Sequence, residues 1–271
     1  MGRKGHGRYG KHSRRDRRKK KGGIISTVIL IVAICVFAFS AFQLYKIFNG
    51  YHKGESEYDD LVKLAVTEDK GEQENGTDDQ DGSRFSVDFD ALRQINPDVV
   101  AWIRFDEPAV INYPVVQGSD NSEYLSKTFK GYDNTVGTIF VNAYNHADFN
   151  DRNTIIYGHY MYNGTMFNEL EQYHEKSFWE KYPSFYIYTP DGNVATYQIY
   201  SVGVVKDTSE GYTYQFADDA AFASFLEATK ASSLYDTGVE VGNDSQIVTL
   251  STCTRLSLIH ISEPTRRRGI S

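Results

Sequence analysis

A long apolar stretch lies near the start of the chain, between polar segments. Ile24 to Tyr45 is a run of 22 uncharged residues, and about 20 apolar residues in a helix cross the hydrocarbon core of a bilayer. A cleaved signal peptide has a shorter apolar core followed by a small-residue cleavage site, and no such site follows here. The pattern therefore predicts an uncleaved transmembrane anchor at residues 24–45.

The next region, residues 46–83, has two parts. Residues 55–68 repeat apolar positions at i, i+3, i+4 and i+7, which predicts a short amphipathic helix. Its apolar face consists of Tyr58, Leu61, Val62 and Ala65. Residues 69–83 contain no apolar residue. Because such a segment cannot offset the entropy of ordering, we predict a flexible acidic linker.

From Arg84 onward, short runs of β-branched and aromatic residues alternate with turn residues, which is typical of strands. Strands are predicted at 99–105, 110–116, 138–142, 153–157, 184–189, 194–205 and 247–252. Short helices are predicted after the capping residue Asp88, at 166–173 and at 218–232. This pattern indicates a mostly β domain, most simply a closed or nearly closed barrel with peripheral helices.

Charge is distributed unevenly along the chain. Residues 1–23 carry eleven Lys and Arg and one acid, a net charge of +10, so the rest of a chain whose total is −7 carries −17. A basic head alone is typical of nucleic-acid binding. Because an apolar run follows directly, the positive-inside rule instead predicts that the basic head is cytoplasmic and that the rest of the chain is extracellular. The head would then contact anionic lipid, and we predict no nucleic-acid partner.

The chain has two cysteines, Cys35 inside the apolar run and Cys253. The exported part therefore cannot form an intramolecular disulfide, which excludes a disulfide scaffold. Its core must come from apolar residues, including many of the 20 Tyr and 16 Phe. With no second exported cysteine and no His/Cys pair at ligand spacing, we predict neither a metal site nor a cofactor.

Cys253 ends the strand-like run 247–252, which would hold its side chain in a fixed direction. A lone thiol and a histidine elsewhere in the fold are the minimum for catalysis by a thiolate nucleophile. His159 follows the apolar run 153–157 and Gly158, so it could face a groove, while His146 in a polar loop is a weaker candidate. Free cysteines are also commonly buried and inert, and a strand-end histidine is often structural, so the pattern alone leaves both interpretations open.

Two motifs connect these residues to a known family. Thr249-Leu250-Ser251-Thr252-Cys253, together with Thr154-Ile155-Ile156-Tyr157-Gly158-His159, resembles the sortases, the transpeptidases of Gram-positive cell walls. Further likeness to class B lies at 95–103, 111–118, 124–125, 137–140 and the helix 218–232. The resemblance covers about residues 88–254, and the order of anchor, histidine and cysteine also agrees.

The resemblance implies an eight-stranded β-barrel within a catalytic domain at residues 84–255. It also implies that the Cys253 thiolate attacks a sorting-signal peptide of a secreted protein and forms a thioester. An amine of the peptidoglycan precursor would then resolve this thioester, with His159 as general acid and base. Leu250, Ser251 and Thr252, beside the nucleophile, are candidate substrate contacts. Anchoring of surface proteins and polymerisation of pilins both stay open.

The sequence departs from the sortase pattern after Cys253. Sortases carry an arginine on the following strand, which favours the thiolate and stabilises the oxyanion. Here Thr254-Arg255 is followed by eleven residues, Leu256 to Arg266, that match a translation of the transposon-end adapter used in sequencing libraries. We therefore expect residues 256–271 to be a non-native tail, the last barrel strand and the arginine to be missing, and the chain to be poorly folded or nearly inactive.

None of the remaining arginines is assigned the role of the catalytic arginine. Arg255 is only two residues beyond Cys253 and precedes the expected loop, while Arg266, Arg267 and Arg268 fall in the tail. Two other functions stay open. One is a catalytically inactive, membrane-tethered module that binds sorting signals, and the other is a thiol hydrolase that uses water as acceptor.

Overall fold

The computed structural model describes residues 2, 16–70, 83–106, 111–206, 208–253, 258–262 and 265–268. The chain divides into two compact units, Met1–Asn49 and Gly50–Ser271. A long helix, α1 (Asp16–Ala65), begins in the first unit and ends in the second. It contains no proline that would end it early.

The first unit contains the predicted apolar helix. Among the described residues, α1 from Ile25 onward is the one helix long and apolar enough to cross a membrane. The helix does not stop at Tyr45, however, but continues through the predicted amphipathic segment to Ala65. The two predicted helices are therefore parts of one.

In the second unit, the last turns of α1 belong to the folded core. Tyr58, Leu61 and Ala65 are 3%, 1% and 2% exposed, so the predicted apolar face is the buried one. The compact unit thus includes residues that precede Arg84, where we predicted the folded domain to begin.

Strand β1 (Val66–Lys70) pairs antiparallel with β2 (Ser83–Val87) and forms a separate two-stranded sheet. The predicted helix 55–68 therefore ends three residues early, because Val66 starts a strand. Both ends of the predicted linker 69–83 are also strand residues, while 71–82 lie outside the described residues.

The main sheet is mixed and curls into a half-barrel. Its strands are β3 (Val99–Phe105), β4 (Asn112–Val116), β5 (Ile139–Val141), β6 (Asn153–Tyr157), β7 (Ser184–Tyr188), β8 (Val194–Gln198), β9 (Ser201–Val205), β10 (Ile247–Cys253), β11 (Leu258–Ser262) and β12 (Thr265–Arg268). Their order is β12-β8-β7-β3-β4-β5-β6-β10-β11-β9. The mostly β prediction is confirmed, although the described sheet has ten strands where eight were expected.

The predicted strand 194–205 is two strands, β8 and β9, which lie in different parts of the sheet. The break falls at residues 199–200, just after the N–H of Ile199 donates to the carbonyl of Pro183 and extends the pairing with β7 by one residue. β8 pairs with β7 and β12, whereas β9 pairs with β11. A continuous run of β-branched and aromatic residues does not reveal such a turn.

A strand, β11, lies beside β10 where the last barrel strand was expected to be missing. β11 pairs antiparallel with both β10 and β9. This corrects the expectation of a missing last strand, and the physical reason is composition, because Leu258-Ile259-His260-Ile261 is rich in residues that suit a pleated sheet. That residues 256–271 are foreign to the natural protein stays a prediction.

The peripheral helices are α2 (Phe89–Ile95), α3 (Lys176–Trp179) and α4 (Asp219–Ala231), and 3₁₀ turns lie at Glu123–Leu125, Asn168–His174 and Glu210–Tyr212. The Asp88 carboxylate accepts from the N–H of Ala91 at 2.9 Å, as predicted for a capping residue. The predicted helix 166–173 is instead a 3₁₀ helix. α4 buries its predicted face, Phe222, Phe225, Leu226 and Thr229.

Candidate active site

The two strands that carry the predicted catalytic residues lie side by side. β6 and β10 are parallel, with Tyr157 opposite Ser251. The N–H of Gly158 donates to the carbonyl of Ser251 at 3.0 Å and extends this register. His159 and Cys253, each two positions further on, therefore lie at the same end of adjacent strands. Only the backbone of Cys253 is described, as the last residue of β10.

The position of His159 depends on two close packing contacts. A Cβ on Gly158 would lie 2.5 Å from the Phe167 ring, so only glycine fits beneath that ring. The N–H of Phe167 in turn donates to the carbonyl of His159 at 3.0 Å. These contacts fix the backbone on which the imidazole is carried.

The imidazole has a defined hydrogen bond. Its Nε2 lies 2.6 Å from the carbonyl oxygen of Leu125. Because a carbonyl only accepts, Nε2 carries the proton and Nδ1 is the basic nitrogen of the neutral ring. The bond therefore fixes both the orientation and the tautomer of His159.

Gly137 lies against the Cδ2 edge of the imidazole. Its φ of +63° is in the left-handed region that favours glycine. A Cβ there would lie 2.8 Å from Cδ2 of His159 and 2.8 Å from the carbonyl oxygen of Tyr124. The imidazole thus packs directly on a bare backbone, in a space that any side chain would fill.

An open groove of about 430 Å³ borders His159 and the end of β10. Its lining residues are Asn121, Leu125, Thr138, Phe140, Tyr157, Gly158, His159, Tyr212, Ser251 and Thr252. Of the three predicted substrate contacts, Ser251 and Thr252 line the groove, whereas Leu250 is fully buried in the core. A largely apolar groove suits a peptide substrate and limits competition from water.

Aromatic rings form one wall of this groove. Tyr157 and Tyr212 stack with centroids 6.5 Å apart, and Phe140 packs on Tyr157 at 5.2 Å. The hydroxyl of Tyr212 is 2.9 Å from the Ser251 hydroxyl. Burial raises the pKa of Tyr157, so its phenol stays protonated at neutral pH.

A buried polar contact holds the two central strands and the Tyr212 segment together. The Thr249 hydroxyl on β10 donates to the Asn153 side-chain oxygen on β6 at 2.8 Å. The Asn153 amide then donates to the carbonyl of Thr213 at 2.8 Å. One side chain thereby connects β10, β6 and the wall of the groove.

The other candidate residues lie elsewhere. His146 is exposed and its Nδ1 is 2.6 Å from the Asp151 carboxylate, which raises the pKa of the imidazole. His52 is exposed and His174 is half-buried. Among the described residues, no group of three or more His, Cys, Asp or Glu is arranged to hold a metal ion.

The arginine position stays unassigned. Arg255 lies outside the described residues, and Arg266, Arg267 and Arg268 belong to β12, which pairs with β8 and not with β10. β11, the strand after the cysteine, contains no arginine.

Sequence reasoning missed Leu125, Gly137 and Tyr212 as parts of the site. Each reaches the groove from a segment distant in sequence, so no local pattern singles it out. Leu125 and Gly137 did fall in segments that carried the family resemblance, which was the one available signal.

A histidine and a cysteine position at the ends of adjacent strands, beside an apolar groove, are typical of enzymes that transfer acyl groups through a thiolate. The comparisons agree with this class. A model of the sortase domain matches residues 106–267. The chain is 30% identical to sortase B of Listeria monocytogenes over 83% of this chain and 88% of that protein. It is 35% identical to sortase B of Staphylococcus aureus over 61% and 67% of the two chains.

Solved structures give the same result. Sortase B of Bacillus anthracis in complex with AAEK1 aligns with a TM-score of 0.70 at 31% identity, covering 82% of this chain and all of that one. Sortase B complexed with triglycine aligns with a TM-score of 0.62 at 31% identity, covering 66% and 85% of the two chains. An S. aureus sortase B-substrate complex aligns with a TM-score of 0.62 at 30% identity, covering 68% and 85%.

The family model spans more than half of this chain, so the chain belongs to the sortase family of transpeptidases. The names of its relatives assign it to class B within that family.

Proposed function

We propose that this chain is a membrane-anchored class B sortase in which Cys253 is the nucleophile and His159 the general acid and base. The observation that carries this proposal is the parallel pairing of β6 and β10, because positions 159 and 253 each follow two residues after its last pair, Tyr157 and Ser251. The groove beside His159 supports it, because an extended peptide needs an open, largely apolar channel next to the nucleophile.

The reaction follows from these two residues. The Cys253 thiolate attacks a peptide carbonyl carbon, and the tetrahedral intermediate collapses with cleavage of the C–N bond. The departing nitrogen takes a proton from His159, which leaves a thioester and a neutral imidazole. An incoming amine then attacks the thioester and gives its proton to His159, while the C–S bond breaks and the new amide is released.

The proposed substrates are sorting-signal peptides of secreted proteins, and the proposed acceptor is an amine of the peptidoglycan precursor. Two solved relatives support these classes, the S. aureus sortase B-substrate complex and the sortase B complexed with triglycine. Both anchoring of surface proteins and polymerisation of pilins use this chemistry.

We further propose that the apolar part of α1 is a single-pass anchor with residues 1–23 in the cytoplasm and the catalytic unit outside. The net charge of +10 on that head supports the orientation through the positive-inside rule.

The experiment is a transfer assay on the full chain in detergent. The peptide of the S. aureus substrate complex serves as donor and triglycine as acceptor, and mass spectrometry detects the thioester and the ligated product. Cys253→Ala and His159→Ala are each expected to remove the product that the unaltered chain forms, whereas Cys35→Ala and His146→Ala are matched controls expected to form as much as the unaltered chain.

The alternatives give different products in the same assay. Peptide binding without a thioester in the unaltered chain would indicate an inactive binding module. Cleavage that yields the free acid even with excess triglycine would indicate a thiol hydrolase. Product formation by Cys253→Ala would exclude the proposed nucleophile.

A further inference from the structure

The last turns of α1 contact the loop that carries Gly137. The carbonyl of Gly50 accepts from the Asn134 side-chain amide at 2.9 Å. A Cβ on Gly54 would lie 2.8 Å from Val136. The Tyr58 hydroxyl donates to the carbonyl of Gly137 at 2.5 Å. Gly50, Gly54 and Tyr58 follow one another at four-residue spacing, so one helix face makes all three contacts.

Tyr58 is placed as a rigid donor. It is 3% exposed, and its hydroxyl is also 3.1 Å from the Thr138 hydroxyl. Thr138 in turn donates to the carbonyl of Lys127 at 2.7 Å. Burial raises the pKa of Tyr58, so the phenol remains a donor throughout the physiological range.

The ring of Tyr58 also reaches the second support of His159. It packs edge-on against Tyr113 with centroids 5.5 Å apart. The Tyr113 hydroxyl accepts from the N–H of Met166 at 3.2 Å. The next residue, Phe167, packs on Gly158 and donates to the backbone of His159. Tyr58 therefore contacts Gly137, which adjoins the imidazole, and Tyr113, which binds the segment that holds the His159 backbone.

We propose that Tyr58 is a positioning residue that holds Gly137 against the His159 imidazole and so connects the last turns of α1 to the catalytic site. This inference rests on the proposed role of His159. A phenylalanine would fill the same space without the hydroxyl, so the change isolates the loss of the bond to the carbonyl of Gly137. Without that bond the loop gains freedom, and small displacements of a catalytic group have large effects on rate.

The test compares Tyr58→Phe with Tyr235→Phe in the full chain. Tyr235 is a matched control, because its hydroxyl donates to a backbone carbonyl, that of Tyr173, at 2.8 Å, and Tyr235 does not line the groove. The first readout is the ¹⁵N imidazole signal of His159, assigned by its loss in His159→Gln. Tyr58→Phe is expected to shift this signal, and Tyr235→Phe is expected to leave it in place.

The second readout is transfer of the S. aureus substrate peptide to triglycine. Tyr58→Phe is expected to lower kcat about tenfold with little change in KM, because the groove itself is retained. Asn134→Ala, which removes the neighbouring contact with Gly50, is expected to shift the His159 signal less and in the same direction. That variant keeps the inference testable if Tyr58→Phe does not fold.

The outcomes separate the inference from the function on which it rests. If His159→Ala transfers peptide as well as the unaltered chain, the proposed function fails. If His159→Ala is inactive but Tyr58→Phe matches Tyr235→Phe in both signal and kcat, only the inference is overturned.

Discussion

At the scale of single residues, the imidazole of His159 is positioned mainly by backbone. Its hydrogen-bond partner is the carbonyl of Leu125, and it packs on the bare Cα of Gly137. Neither partner is recognisable from the sequence, because a carbonyl belongs to every residue and a glycine has several uses. The chemistry proposed for His159 and Cys253 was predictable from their types, whereas the means of positioning required the fold.

Gly137→Ala is expected to displace His159 and to reduce transfer. The added Cβ would meet Cδ2 of His159 at 2.8 Å and would also strain a backbone with φ of +63°. Strain of this kind costs about 1–3 kcal/mol. The rate of transfer to triglycine and the free energy of unfolding in urea measure the two effects.

Gly131→Ala is the matched control for that substitution. Gly131 has a φ of +81°, but nothing lies within 4 Å of the Cβ that would be added. It should lose similar stability while retaining transfer. Equal transfer rates in the two variants would contradict a role for Gly137 in positioning the imidazole.

At the scale of elements, local pattern identified most strands, including β3 and β6 with their observed bounds. It failed where long-range contacts decide. The run 194–205 was predicted as one strand, but its two halves have different partners, β7 and β12 for β8 and β11 for β9. The pairing of β6 with β10 was equally invisible, since the strands lie far apart along the chain. The family resemblance, rather than periodicity, brought His159 and Cys253 together.

The contact between β10 and β6 leads to a prediction about stability. Thr249→Val removes the hydroxyl that donates to the Asn153 side-chain oxygen at 2.8 Å. A buried acceptor left without its donor costs about 1–3 kcal/mol. Denaturation in urea should show this loss, and the weaker hold on Asn153 should also loosen the segment that carries Tyr212.

Thr154→Val provides the control on the adjacent strand. Thr154 is fully buried, and its hydroxyl has no hydrogen-bond partner among the described residues. Replacing it with an apolar group of similar shape is expected to be neutral or stabilising. A loss in Thr154→Val as large as that in Thr249→Val would show that the Asn153 contact is not the cause.

At the scale of the whole molecule, the end of the chain decides whether the sheet is complete. β11 lies between β10 and β9, so its backbone serves two ladders, whereas β12 lies at an edge and pairs with β8 alone. The match to an adapter predicts a foreign tail, yet a foreign segment rich in β-branched residues can still fill an open position in a sheet. A foreign origin of residues 256–271 is therefore compatible with a structural role for β11.

Proline substitution tests that structural role. Ile259→Pro removes a ladder donor from an interior strand, where proline is not tolerated. We expect a loss of about 3 kcal/mol, which lowers Tm by roughly 6–12 °C in a protein of this size. Thr265→Pro, at the first residue of the edge strand β12, is the control and should have little effect. If Ile259→Pro has the same Tm as the unaltered chain, residues 258–262 do not complete the sheet. The strand edge of β10 would then be unpaired, and the poor folding expected from the sequence would follow from that edge.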